Sequence, residues 1–162
     1  MQIRIRATGQ VLLEHEWIKW VATTYAKSIS AMTADIYDRF DSDAVFEGAQ
    51  ATGGTVYQYS QRDGVEQQSD GKWYTKYILG PVFTDGETTA AEQEAAYKAQ
   101  KDTEQAASVR ASRTEKLKDC DWTQISDSTA DKAAWAIYRQ ELRDISAQAG
   151  FPWTVVWPTQ PV

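Results

Sequence analysis

The stretch from residue 88 to residue 118 contains no glycine, no proline and one aromatic residue, Tyr97. Alanine, glutamate, glutamine and lysine dominate it, which is the composition of a long helix. Thr89 and Glu92 have the spacing of a capping box at its start, and a helix of this length would run about 45 Å. Its apolar face is mostly alanine, so it can bury little by itself. We therefore predict either an arm that spaces two lobes or one helix of a weak coiled coil.

The residues before this helix indicate a small antiparallel sheet with short helices. Residues 2–6 alternate polar and apolar side chains, and residues 11–13 follow a glycine as a return strand. Apolar residues at helical spacing then predict a first helix over residues 16–29. A second short helix is expected over residues 34–40, with Thr33 as its cap.

Residues 55–79 read as three further strands joined by two turns, Asp63-Gly64 and Asp70-Gly71. Asp-Gly favours tight hairpins because both residues tolerate the positive φ that these turns require. The strands are rich in aromatic residues, which we interpret as one face of a packed sheet. The alternative is a carbohydrate-binding platform made of Tyr57, Tyr59, Trp73 and Tyr77.

The chain from residue 119 onwards predicts a helical lobe. Apolar residues at spacings of three and four form a single stripe, which consists of Trp135, Tyr138, Leu142, Ile145 and Ala149. We expect Ser128 and Asp131 to form a capping box for this helix and Gly150 to end it in the left-handed conformation. Residues 153–157 alternate as a short strand, which should fold back over the helix and bury at least one of its two tryptophans.

The same lobe holds more aromatic surface than a helix with one hook can cover, since a buried aromatic side chain covers roughly 150–250 Å². Four of the seven tryptophans lie in it: Trp122, Trp135, Trp153 and Trp157. We therefore expect some of this surface to remain for a partner.

Together these patterns predict an α+β fold in three parts. The first is an N-terminal α+β lobe over residues 1–85, with a small antiparallel sheet and short helices. The second is a long connecting helix over residues 86–118. The third is a small C-terminal helical lobe with a terminal aromatic strand, over residues 119–162.

The residues that would support catalysis are scarce. His15 is the only histidine, and it lies between two glutamates. Cys120 is the only cysteine, and the aspartates on either side of it would raise the pKa of its thiol. We expect no enzyme activity, no metal and no cofactor. The net charge of −6 opposes binding to nucleic acid, and no apolar run approaches the roughly 18 residues of a membrane span. These features favour a soluble, cytoplasmic protein.

Several segments resemble a known family. SVRASRTEKLKDCDWTQ (108–124), WAIYRQELRDI (135–145) and QAGFPWTVVWPTQP (148–161) are similar to the C-terminal part of phage tail-fibre assembly chaperones and related phage tail assembly proteins. The sequence departs from the usual pattern at Cys120 and Glu141. The N-terminal segments MQIRIRATGQV, DSDAVFEGAQAT and RDGVEQQSDGKWYTKYILGPVF are similar to a small family of phage proteins, with less discriminating motifs.

This resemblance implies a non-enzymatic phage protein that binds a trimeric tail fibre and assists its folding, trimerisation or attachment. It implies action in the host cell cytoplasm during assembly, with possible retention in the virion tail. The alternative is a structural subunit of the fibre or baseplate, whose long helix self-associates. The partner-binding residues that it suggests are Trp122, Tyr138, Arg139, Leu142, Arg143, Phe151, Pro152, Trp157 and Pro158. We add Trp153, because interfaces take most of their energy from a few Trp, Tyr and Arg anchors.

Overall fold

The computed structural model describes residues 1–33 and 35–161. The chain divides into two compact units, Met1–Val82 and Phe83–Val162. The first combines a sheet with two helices and the second is mainly helical, so the predicted α+β class is confirmed. The long helix lies wholly within the second unit. The three-part division at residues 1–85, 86–118 and 119–162 stays a prediction.

The first unit is built on a five-stranded sheet with the order β2-β1-β3-β5-β4. Its strands are β1 (Gln2–Ile5), β2 (Val11–Leu13), β3 (Ser42–Phe46), β4 (Tyr59–Gln67) and β5 (Trp73–Gly80). Strands β1 and β2 lie where the sequence predicts them and pair antiparallel. The fully antiparallel expectation is wrong at one pair, since β3 and β5 run parallel. Strand β3 was not predicted, and it is the strand that joins the N-terminal pair to β5.

The two Asp-Gly steps have different structures. Asp70-Gly71 forms the expected turn between β4 and β5, with Gly71 at φ 80° and the Lys72 amide donating to the Asp70 carboxylate at 3.0 Å. Asp63-Gly64 does not end a strand, so the predicted three strands are two. Strand β4 continues through it as a bulge, in which the register against β5 shifts between Arg62 and Val65. Gly64, at φ 83°, supplies the positive φ of the bulge.

Helix α1 (Glu14–Tyr25) packs one face of the sheet and is shorter than the predicted helix over residues 16–29. It ends at Ala26, which adopts φ 51°. Helix α2 is confined to Ile36–Arg39, with Asp35 rather than Thr33 at its N-cap position. The predicted start of this helix at Ala34 lies outside the described residues. The core beneath these helices is formed by Ile3, Ile5, Trp17, Val21, Ile36 and Phe40.

The second unit contains helix α3 (Ala90–Asp119), a 3₁₀ turn (Asp121–Gln124), helix α4 (Lys132–Asp144) and a second 3₁₀ turn (Ile145–Ala147). The predicted capping box begins α3: the Thr89 amide donates to Glu92 Oε2 at 2.9 Å, and the Glu92 amide donates to Thr89 Oγ1 at 3.3 Å. Only the second half of α3 is buried, at Ala106 and Val109. The core of this unit comprises Val109, Cys120, Trp135, Tyr138, Leu142 and Ile145.

Three local predictions for the C-terminal part are wrong. Asp131 is itself the N-cap of α4, because its carboxylate accepts from the Ala133 and Ala134 amides, so Ser128 and Asp131 form no capping box. Gly150 does not adopt a positive φ. A side chain there is excluded for another reason, since a Cβ atom would lie 2.3 Å from the Thr154 carbonyl oxygen.

The third correction concerns the terminal strand. Residues 151–154 form a turn, and residues 155–161 belong to no helix or strand. This C-terminal tail nevertheless folds back as expected, with Phe151, Val155 and Trp157 packed against the core. Neither Trp153 nor Trp157 is fully buried.

Candidate partner-binding surface

The ten residues suggested for partner binding separate by exposure. Tyr138 and Leu142 lie in the core, where their contribution is packing. Trp122 and Arg143 are exposed. The remaining six are partly buried: Arg139, Phe151, Pro152, Trp153, Trp157 and Pro158. The structure therefore brings these residues into one unit but leaves few of them accessible to another molecule.

Arg139 joins α4 to the end of α3. Its Nη1 donates to the Leu117 carbonyl oxygen and to Cys120 Sγ, both at 2.9 Å. Its Nη2 donates to Asp121 Oδ1 at 2.9 Å, and only 11% of its side chain is exposed. Burial opposes the positive charge, but the hydrogen bonds to Asp121 and Cys120 outweigh it and the pKa of Arg139 is raised. These contacts assign Arg139 to the internal structure of the unit.

The C-terminal tail is held along α3 by four side chains spread between Asp102 and Lys116 of that helix. Trp153 Nε1 donates to Asp102 Oδ1 at 2.6 Å, and Lys116 lies 5.4 Å from the centre of the Trp157 ring. Two further pairs are Gln105 with the Pro152 carbonyl and Arg110 with the Phe151 ring. Much of the surface of Trp153 and Trp157 is therefore taken up by contacts within the unit.

Gln148 fixes the tail against the end of α4. Its Nε2 donates to the Val156 carbonyl oxygen, its Oε1 accepts from the Val156 amide, and both distances are 2.8 Å. A side-chain amide here replaces the pairing that a neighbouring strand would supply. With the backbone of Val156 fixed in this way, its side chain points away from the core and is exposed.

The accessible apolar surface of this unit comes mainly from residues that sequence reasoning missed. Val156 is 73% exposed, Ile137 62%, Ile125 55% and Trp122 52%. Trp122 lies edge-on against the buried Trp135, at 5.8 Å between ring centres. Ile137 could have been found from the sequence, because it falls off the buried stripe of α4 on a face otherwise made of polar residues and alanines.

A groove of about 310 Å³ runs beside α4 and the tail. It is lined by Glu141, Asp144, Gln148, Val156 and Pro158. On α4, Ile137 lies one turn before Glu141, and Asp144 follows three residues later, so the three share one side of the helix. The groove is therefore bordered by apolar side chains and by two carboxylates.

The first unit offers other surfaces. A cavity of about 500 Å³ opens beside Tyr25, Ile29 and Phe40. The four-aromatic platform considered for carbohydrate is not assembled, because Tyr59 pairs with Gly80 and so faces away from Trp73 and Tyr77. Tyr77 donates to Glu47 at 2.6 Å, and the Trp73 ring is covered by the Arg4 guanidinium at 3.9 Å.

Grouped metal ligands and membrane-spanning helices are both absent from the part of the chain that the structure describes. There, no three His, Cys, Asp or Glu side chains are grouped so that they could hold a metal ion. None of the described helices has the length and apolar character needed to span a bilayer. Cys120 is a buried free thiol.

In a comparison with protein families, residues 106–162 match a family described as phage tail assembly chaperone protein. The resemblance predicted from the sequence is confirmed for this stretch, which is about a third of the chain. The match begins at Ala106, the first buried residue of α3, and it includes α4 and the tail. Comparisons with curated proteins and with solved structures gave no match.

Proposed function

We propose, from the match of residues 106–162 to the phage tail assembly chaperone family, that this chain binds a tail fibre protein and assists its folding, trimerisation or attachment. The observation that carries the proposal is the exposure of Trp122, Ile125, Ile137 and Val156 on the matched stretch. A few residues supply most of the energy of a typical protein interface, and tryptophan, here Trp122, is one of the residue types enriched among them. The role is one of binding and not of catalysis.

The internal structure of the unit supports this role. The tail is fixed by Trp153, Trp157 and Gln148, so Val156 is presented on a backbone whose position is already determined. A contact surface that is ordered before binding avoids part of the entropy cost of association. We assign Trp153 and Trp157 to this support and the four exposed apolar residues to direct contact with the partner.

We further propose that the chain acts in the host cell cytoplasm during assembly, and that residues 86–118 connect an N-terminal lobe, residues 1–85, to the C-terminal lobe, residues 119–162. The half of α3 before Ala106 has no fully buried residue, which leaves it available for self-association. The second candidate function, a structural subunit of the fibre or baseplate, requires the chain to stay on the particle. Mass spectrometry of purified virions separates the two, since a subunit would be present in stoichiometric amounts.

Co-expression tests the proposal. The tail fibre protein of the same phage is produced alone, with the wild-type chain, and with variants, and the yield of soluble trimeric fibre is measured. We expect the wild type to raise this yield and Val156→Asp to abolish the increase. Val56→Asp is the matched control, because Val56 is 57% exposed in the other unit. Equal yields with and without the wild-type chain would contradict the proposal.

A further inference from the structure

The groove beside α4 has apolar walls and a negatively charged rim. The tail supplies Val156 and Pro158 as apolar walls, while α4 supplies Glu141 and Asp144. Ile137 extends the apolar surface by one helical turn. A segment that fits this groove must therefore match both apolar side chains and negative charge.

The negative charge of the groove is not compensated within the described chain. The Glu141 side chain has no hydrogen-bond partner there, and neither carboxylate forms an ion pair. Asp144 accepts two hydrogen bonds from the Gln140 amide, both at 3.0 Å. Because that amide is neutral, it orients the Asp144 carboxylate and leaves its charge in place.

We propose that this groove binds an extended segment of the partner protein in which a lysine or arginine stands next to aliphatic residues. The cation lies between Glu141 and Asp144, and the aliphatic side chains pack on Val156, Pro158 and Ile137. An acidic segment is disfavoured, because it would bring like charges together in the groove. The naming of the partner as a tail fibre rests on the proposed function, whereas the chemistry of the segment rests on the groove alone.

The two carboxylates are exposed, so each contributes modestly and in a salt-dependent way. Exposed ion pairs are weak, and screening over a Debye length of about 10 Å at 0.1 M salt weakens them further. Neutralising both carboxylates should therefore reduce affinity by about tenfold at low salt and by less at high salt.

The test uses the full-length chain with two synthetic seven-residue peptides as probes. In the basic peptide, lysine and arginine alternate with leucine and valine. In the acidic peptide, glutamate replaces every lysine and arginine. Binding is followed by methyl chemical shifts in NMR spectra at low salt. We expect the basic peptide to shift the Val156 and Ile137 methyl signals in a saturable way and the acidic peptide to leave them unchanged.

Variants locate the charge effect. The double variant Glu141→Gln with Asp144→Asn keeps the shape of the groove. It should lower the affinity for the basic peptide by about tenfold at low salt. Glu94→Gln with Glu115→Gln changes the net charge equally on α3, and neither residue lines the groove, so this control should change affinity by less than about twofold. Absent methyl shifts, equal shifts from both peptides, or equal losses in the two double variants would overturn the proposal.

Failure of this inference is distinguishable from failure of the proposed function. If the basic peptide binds the groove while the chain has no effect on fibre yield, the groove stands and the fibre assignment falls. If the chain raises fibre yield while neither peptide shifts Val156 or Ile137, the fibre assignment stands and the groove chemistry is wrong.

Discussion

The side-chain amide of Gln148 and the backbone of Val156 form two reciprocal hydrogen bonds of 2.8 Å each. The pair connects the end of α4 to an otherwise irregular tail. It also places the Val156 side chain, the most exposed large apolar residue of this unit, beside the two carboxylates of the groove. The shape of the proposed contact surface therefore depends on the Gln148 side chain.

Gln148→Ala should therefore destabilise the tail without disturbing α4. Loss of two hydrogen bonds, each worth about 0.5–1.5 kcal/mol, predicts a decrease of about 1–3 kcal/mol in the free energy of unfolding. Hydrogen exchange at the Val156 amide should accelerate at the same time. Thr159→Ala, at an exposed position of the same tail, is the control. Unchanged exchange at Val156 would show that the amide pair does not hold the tail.

The inner and outer faces of α4 should respond differently to truncation. Leu142 is fully buried and Ile137 is 62% exposed. Leu142→Ala should cost about 2–5 kcal/mol through lost burial and a residual cavity. Ile137→Ala should stay within about 0.5 kcal/mol in stability while weakening partner binding. Urea unfolding followed by tryptophan fluorescence measures the first effect. A large stability loss at Ile137 would mean that this residue belongs to the core.

The sequence predicts these helical faces well because helix periodicity is a local property. The buried stripe of Trp135, Tyr138, Leu142 and Ile145 and the start of α3 at Thr89 both follow from residues a few positions apart. The prediction is wrong for Ala149, the last residue of the predicted stripe, because it lies beyond the end of α4 and is exposed. The exposed partner surface was less predictable. The exposure of Ile137 could be predicted, because this residue falls off the buried stripe of α4. The exposure of Val156 depends on its hydrogen bonds to Gln148 across a turn, which no periodic pattern in the sequence indicates.

The sheet shows the same limit. Asp63-Gly64 and Asp70-Gly71 are identical dipeptides, yet one forms a bulge and the other a turn. Lys76, across the sheet, donates to Asp63 at 2.8 Å and helps to keep β4 paired through the bulge. The choice between the two outcomes, and the parallel pairing of β3 with β5, depend on which strands meet in the folded chain.

In the first unit, Ser42→Ala should lower the free energy of unfolding, because the indole of Trp17 loses its hydrogen-bond partner. Trp17 Nε1 donates to Ser42 Oγ at 3.0 Å, and both residues are buried. Removing the hydroxyl leaves the indole N–H without a partner, which should cost about 1–3 kcal/mol in the free energy of unfolding. Ser69→Ala, at an exposed position, is the matched control. Equal stability of the two variants would contradict the assigned role of this hydrogen bond.

The capping box of α3 predicts a titration effect. Hydrogen bonds from the Thr89 amide and hydroxyl lower the pKa of Glu92. A lowered folded-state pKa stabilises the protein above the unfolded-state pKa, and this contribution is lost as the pH falls through the folded-state value. Thr89→Ala removes the hydroxyl and keeps the amide, so the pKa of Glu92 should rise part of the way towards its ordinary value. An NMR titration of the Glu92 carboxyl with an unchanged midpoint would contradict this.

The central claim is that the exposed apolar residues of the matched stretch bind a tail fibre protein. Size-exclusion chromatography with light scattering tests it most directly, with the full-length chain mixed with the purified fibre protein of the same phage. We predict a complex for the wild type and for Val56→Asp, and none for the double variant Ile137→Asp with Val156→Asp. Separate elution of the wild-type chain and the fibre, or an unchanged complex with the double variant, would contradict the account.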